Sequence, residues 1–157
     1  MIKVLFICQG NICRSPMAEF VMRDLVKAAG LEEQISVASA ATSTEEIGNP
    51  VYPPVRRLLE THGIECAGKT ARQLTAGDYL RYDRIIGMDR ANLRNIHRIC
   101  GGDPAGKISL LLDDTDRPGE VADPWYTRDF EATWRDVQAG CRGLMAALAE
   151  QLPGKRG

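Results

Sequence analysis

Residues Ile2–Pro16 read IKVLFICQGNICRSP: a short apolar run, then nine residues with two cysteines, a glycine, an asparagine, an arginine and a serine, and no acid. A brief apolar run bounded by polar and glycine-containing sequence is the pattern of a parallel strand covered on both faces. From Pro16 the spacing turns helical, with Val21 and Leu25 one turn apart, and Gly30 supplies a stop. A strand that enters a helix through such a loop is the first half of a βαβ unit. In an open α/β sheet that loop stands beyond the carboxyl ends of the strands, where ligands bind.

Working outward, three more apolar segments read as strands: ISVASA (Ile35–Ala40), RIIGM (Arg84–Met88) and KISLLL (Lys107–Leu112). Helical patterns alternate with them. One covers about Pro54–Thr61 and stops near Gly63. Another, RANLRNIHRI, follows Asp89 as a candidate cap. In the last, Phe130, Trp134, Val137, Cys141, Leu144 and Leu148 step by four and three to mark one buried stripe. The alternation predicts one α/β domain over residues 1–157, a doubly wound, open twisted parallel sheet with right-handed crossovers and a tail from about Leu152. The stretch Asp113–Asp129 is longer than an ordinary connection, which marks it as functional, and Val121, Trp125 and Tyr126 within it favour order.

Bulk properties narrow the partners. Lys and Arg number 20 against 21 Asp and Glu, for a net charge of −1, so nothing favours nucleic acid or an anionic membrane. No apolar run reaches the roughly 20 residues of a membrane span. The first ten residues lack the order of a signal peptide. Five cysteines at irregular spacing do not form a secreted disulfide framework. The expectation is a cytoplasmic protein with reduced thiols, without cofactor or metal.

The loop after the first strand carries the chemistry. Five residues separate Cys8 from Arg14, enough for backbone N–H groups of Gln9, Gly10, Asn11, Ile12 and Cys13 to curl around an anion above the helix N-terminus. Gly10 and Asn11 are the residue types that accept left-handed backbone angles. Arg14 can set its planar fork on two oxygens of a tetrahedral oxyanion. Cys8 at the base would be held as a thiolate by the helix end and Arg14. Ser15 is placed to donate to the sulfur, and Pro16 suits a first helical turn. The chemistry these residues fit is attack by sulfur on phosphorus to give a cysteinyl-phosphate that water then hydrolyses. A buried structural cysteine before an ordinary helix start is the competing reading, and C-x5-R spacing alone does not exclude it.

VLFICQGNICRSPMAE resembles, nearly residue for residue, the signature of the low-molecular-weight protein tyrosine phosphatases, and SAATSTEEIGNPVYPP, TARQLTAGDY, YDRIIGMDRANLRNI and ADPWY extend the likeness along the chain. The resemblance implies a flavodoxin-like, four-stranded parallel sheet with helices on both faces and phosphotyrosine hydrolysis in a monomer or weak dimer. It implies Cys8 as nucleophile, Arg14 as phosphate clamp and Asp123 as general acid and base. It also implies that Asn11 holds the loop through Ser15 and Ser39, and that Cys13 protects Cys8 during oxidation by pairing with it.

A tyrosyl leaving group needs a proton, and the long loop offers Asp113, Asp114, Asp116 and Asp123. Composition does not choose among them. Asp123 is the one followed by proline and two aromatics fit to line a tyrosine-sized slot, Trp125 and Tyr126. Two departures from the family pattern stand out. Glu45 or Glu46 occupies the wall where family members often carry an aromatic, the competing reading being that both simply face water. A supporting histidine has no match, leaving Lys69 or Thr70 in its place. His62 and His97 read as solvated, and Asp83 and Asp89 as caps. Arsenate reductases share this fold and loop but need two further cysteines close in sequence for a disulfide relay. After the third strand there is only Cys100 until Cys141, which lies on the core stripe. A phosphotyrosine-binding module would be expected to lose the nucleophile or acid. A nucleotide loop needs Gly-Lys-Ser/Thr, which CRS is not.

Overall fold

The computed structural model describes residues 1–152. Of the expected tail, all but Leu152 lies outside them.

Strands β1 (Ile2–Cys8), β2 (Ile35–Ala41), β3 (Arg84–Gly87) and β4 (Ile108–Leu110) form one sheet in the order β2-β1-β3-β4, every neighbour parallel. The chain winds from β1 to β2 on one side, then returns to β3 on the other. β1 and β3 therefore flank the point where strand order reverses, and the crevice opens beyond their carboxyl ends. β1 is buried from Val4 to Cys8, and its alternation divides the core. Val4, Phe6 and Cys8 join α1 (Arg14–Ala28), α2 (Pro53–Thr61) and α6 (Phe130–Glu150) on one face; Leu5 and Ile7 join α3 (Ala76–Arg81) and α4 (Arg90–Cys100) on the other. The central strand thus aims Cys8 toward α1 and fixes the height of its sulfur.

The α6 stripe packs as its spacing predicts: Trp134, Val137, Cys141, Leu144 and Leu148 are buried, and Phe130 packs against the same cluster. Gly140 and Gly143 explain how closely α6 approaches the 3₁₀ turn Leu111–Asp114. A Cβ at Gly140 would overlap the Leu111 side chain, and one at Gly143 the Asp114 carbonyl oxygen. Gly30 and Gly63 end α1 and α2 in left-handed geometry, at φ 71° and 75°.

The sequence reading is corrected at three places. The KISLLL run is strand only to Leu110, because the Asp113 carboxylate accepts from the Leu110 N–H at 3.0 Å and rolls Leu111–Asp114 into the 3₁₀ turn. Helix α1 starts at Arg14, with Pro16 inside its first turn. Two short helices, α3 and α5 (Pro124–Thr127), were not visible in the pattern. Among the described residues no helix is long and apolar enough to cross a membrane.

Candidate active site

The loop from β1 into α1 is held open by its surroundings. The carbonyls of Cys8, Gln9, Ile12 and Cys13 accept from the N–H groups of Thr42 (3.0 Å), Ser43 (3.0 Å), Tyr52 (2.9 Å) and Met17 (3.1 Å). Among the described residues every peptide is trans, so the N–H after each of these carbonyls points the opposite way. Asn11 adopts φ 61°, and its N–H donates to Cys8 Sγ at 3.3 Å. Gly10, expected to share that left-handed geometry, does not adopt it. It is small for a different reason: a Cβ there would lie 3.3 Å from Glu46 Cγ.

Cys8 is buried, its sulfur 3.0 Å from Ser15 Oγ. Asn11 Nδ2 donates to Ser15 Oγ (2.8 Å) and Ser39 Oγ (2.9 Å), and Asn11 Oδ1 accepts from the Arg72 N–H (3.2 Å). Of the two residues expected in place of a supporting histidine, Lys69 donates from Nζ to the Ser39 carbonyl at 2.9 Å. Cys13, the other loop thiol, is pushed far up in pKa, first by burial and then by Cys8 and Asp123, which keeps it a protonated thiol. All five cysteines are free.

Arg14, 2% exposed, reaches across the cleft mouth. Its Nη1 donates to Asp89 Oδ2 (2.8 Å) and to the Val121 carbonyl (2.9 Å), and its Nη2 lies 3.4 Å from Asp123 Oδ2. Burial works against its charge, but Cys8, the Asp89 hydrogen bond and Asp123 outweigh it and raise its pKa. Its Nε–H is buried with no acceptor among the described residues. Such a donor costs free energy until an acceptor meets it, and an oxyanion held by the loop would supply one.

Asp123 caps α5, its Oδ1 accepting from the Trp125 N–H at 3.0 Å while Oδ2 faces Arg14. Of the four loop aspartates it is the one that lines the cleft. Asp113 caps the 3₁₀ turn, Asp114 pairs with Arg84 at 3.6 Å, and Asp116 is exposed. The aromatic wall comes from α5: Trp125 packs on Tyr52 at 4.9 Å between ring centroids, and Tyr126 is 73% exposed. Glu45 and Glu46 line the same cleft as Cys8 and Cys13, a cavity of about 100 Å³. Glu46 is tied down by Asn49 Nδ2 at 2.6 Å; Glu45 stands exposed.

Sequence reasoning missed two participants. Asp89 caps α4 through Oδ1 (2.7 Å from the Asn92 N–H), as expected, but its second oxygen holds Arg14 from 75 residues away. Glu19, a buried carboxylate on α1, binds Ser39 and left no local signal in the sequence. His62, read as solvated, is exposed but stacks on Trp134 at 4.1 Å, outside the cleft. Among the described residues no group of three or more His, Cys, Asp or Glu is placed to hold a metal ion.

The family model for low molecular weight phosphotyrosine protein phosphatase matches residues 3–154. The low molecular weight protein-tyrosine-phosphatase YfkJ of Bacillus subtilis is 40% identical over 154 residues, covering 96% of this chain and 98% of its own. The human low molecular weight phosphotyrosine protein phosphatase is 38% identical over 147 residues, covering 90% and 92%. The crystal structure of YfkJ superposes with a TM-score of 0.93 over 96% of each chain, at 38% identity. That of SP-PTP, a low molecular weight protein tyrosine phosphatase from Streptococcus pyogenes, gives 0.86 over 99% of this chain and 100% of its own, at 40% identity.

Proposed function

The chain belongs to the low molecular weight phosphotyrosine protein phosphatase family, and from that premise we propose how its own residues carry out the hydrolysis. Phosphotyrosine enters with its phosphoryl group in the Gln9–Ser15 loop and its ring between Trp125 and Tyr126. The Cys8 thiolate attacks phosphorus in line with the phenolic oxygen; the S–P bond forms as the P–O bond breaks. Asp123, protonated, gives its proton to the departing phenolate. It then takes a proton from water as the water oxygen attacks phosphorus, the S–P bond breaks, and inorganic phosphate and the Cys8 thiolate are released. Arg14 spans two equatorial oxygens, and its contact is strongest where charge gathers in the transition state. The substrates are proteins carrying phosphotyrosine, met in the reducing setting of the cytoplasm.

One observation carries this reading: a buried arginine with an unmet Nε–H shares a cleft with a thiol that receives the Asn11 N–H and with a carboxylate 3.4 Å from that arginine. The test is rapid-quench labelling with a phosphorylated substrate. Phosphate is expected on Cys8 of the wild type, and Cys8→Ser is expected to lose turnover while still binding inorganic phosphate, since the cradle remains. Label on another residue, or turnover surviving in Cys8→Ser, would overturn the assignment.

A further inference from the structure

Glu19 is a buried charge that the mechanism above leaves unused. It lies on α1 with 2% exposure, and its oxygens are approached from three elements. Arg23 Nη2, one turn further along α1, is 2.5 Å from Oε2. Ser39 Oγ, from β2, donates to Oε1 at 2.5 Å. Lys69 Nζ, from the loop between α2 and α3, stands 3.6 Å from the same oxygen while donating to the Ser39 carbonyl. Burial lowers the Lys69 pKa and Glu19 works against that shift, so the two charges depend on each other.

A carboxylate accepts hydrogen bonds and donates none. Ser39 therefore gives its single proton to Glu19 and can only accept from Asn11 Nδ2, at 2.9 Å. The Arg72 N–H on Asn11 Oδ1 fixes which way that amide faces. The second Nδ2 proton goes to Ser15 Oγ at 2.8 Å, which leaves the Ser15 proton to point at Cys8 Sγ, 3.0 Å away. Every donor from Glu19 to the sulfur is thus assigned, and the assignment is held by two groups that cannot reverse, the Glu19 carboxylate on Ser39 and the Arg72 N–H on Asn11.

We infer that Glu19, paired with Lys69 and Arg23, is a positioning residue for the phosphatase reaction: together with the Arg72 N–H it holds the hydrogen-bond chain Ser39–Asn11–Ser15 in the direction in which Ser15 donates to the Cys8 thiolate. The inference rests on Cys8 being the nucleophile. Without Glu19 the Ser39 proton is free to turn toward Asn11 Nδ2, which can only donate, so Asn11 loses one of its acceptors and is left to the Arg72 N–H alone to hold its amide against Ser15. Ser15, the donor that holds the Cys8 thiolate both before attack and as it leaves phosphorus, is then less firmly aimed.

The experiment measures alkylation of Cys8 by iodoacetamide across pH, read by mass spectrometry, alongside kcat on an aryl phosphate. Glu19→Gln should displace the alkylation profile to higher pH, slowing the reaction roughly tenfold near pH 6, with kcat falling by at least as much. Ser39→Ala breaks the same chain one link on while keeping the Glu19 ion pairs, so it decides the question if Glu19→Gln does not fold. Lys69→Met should move the profile in the same direction, and Lys69→Arg, which keeps a cation, should restore most of the rate. Folded Glu19→Gln and Ser39→Ala proteins that alkylate like the wild type would overturn the inference even if kcat fell, because the effect would then be structural. A wild-type profile in Lys69→Met would overturn the share assigned to Lys69. If Cys8→Ser still hydrolyses the aryl phosphate, the failure lies instead with the nucleophile.

Discussion

At the scale of single residues, the chemistry divides between groups that touch phosphorus and a group that touches the leaving oxygen. If Asp123 protonates the phenolic oxygen, its loss should matter most when the leaving group is poor. Asp123→Asn should lower kcat/KM on phosphotyrosine by roughly 10²–10⁴-fold and on an aryl phosphate with a far more acidic phenol much less. Asp113→Asn, Asp114→Asn and Asp116→Asn, whose carboxylates lie outside the cleft lining, should show no such dependence. If one of them does and Asp123→Asn does not, the acid is misassigned. Arg14→Lys keeps a charge but loses the fork, the Asp89 contact and the Nε–H, and should cost about 10²-fold or more in kcat on either substrate. The residues proposed as nucleophile, clamp and Asp-Pro-aromatic acid could all be picked out in the sequence because each lies in a short motif. The hold of Asp89 on Arg14 and the part of Glu19 could not, since their partners lie 75 and 20 residues away and only the fold brings them together.

At the scale of elements, what spacing can reveal depends on length. The six-residue α3 and four-residue α5 are shorter than the window in which helical periodicity becomes visible, yet both hold the site. α5 carries Asp123 and the aromatic wall. α3 works through Asp78, 1% exposed, which accepts from the Thr75 N–H (2.8 Å) and pairs with Arg72 (3.0 Å) and Arg81 (3.3 Å). Arg72 is the residue whose backbone fastens both Asn11 and the end of β2, through the Ala41 N–H at 2.7 Å. Burial alone would raise the Asp78 pKa, but the Arg72 hydrogen bond, the Thr75 amide and Arg81 bring it below its ordinary value of 3.8. A carboxyl lowered on folding stabilises the fold above its unfolded pKa and loses that contribution as pH falls through the folded value. Asp78→Asn should therefore be less stable than wild type by roughly 1–3 kcal/mol at neutral pH, with the gap closing below about pH 4. Urea unfolding at several pH values measures this; a gap that stays constant into acid would deny Asp78 that role. The close approach of α6 gives a second test. Gly140→Ala would drive a methyl into Leu111 and should destabilise by about 1–3 kcal/mol in the same assay, where an open helical position would gain from the change.

At the scale of the molecule, the question is which phosphotyrosine the cleft prefers, and here charge placement counts for more than net charge. The chain as a whole is near neutral at −1, so long-range steering is weak and the rim decides. One rim is aromatic, with Trp125 and Tyr126 beside Arg128, whose guanidinium is held over Tyr52 and hydrogen-bonds its hydroxyl at 3.1 Å. The other is acidic. Glu46 is fixed by Asn49 and packed against Gly10, so its place is set by the fold, while Glu45 is free to meet whatever flanks the tyrosine. Where the resemblance leads one to expect an aromatic, this chain thus offers an exposed carboxylate at the cleft rim. Such a rim should favour peptides with lysine or arginine beside phosphotyrosine over those with aspartate or glutamate. A single exposed pair contributes up to about 1 kcal/mol, so the preference in kcat/KM should be a few-fold and shrink as salt rises. Glu45→Lys reverses the sign of the contact and should invert the ratio of basic to acidic peptide, whereas Glu45→Gln should bring it toward one. The ratio is the quantity to measure, because it cancels any effect of the substitution on the phosphoryl site. If it does not move in Glu45→Lys at low salt, that carboxylate faces water alone and the aromatic wall sets selectivity.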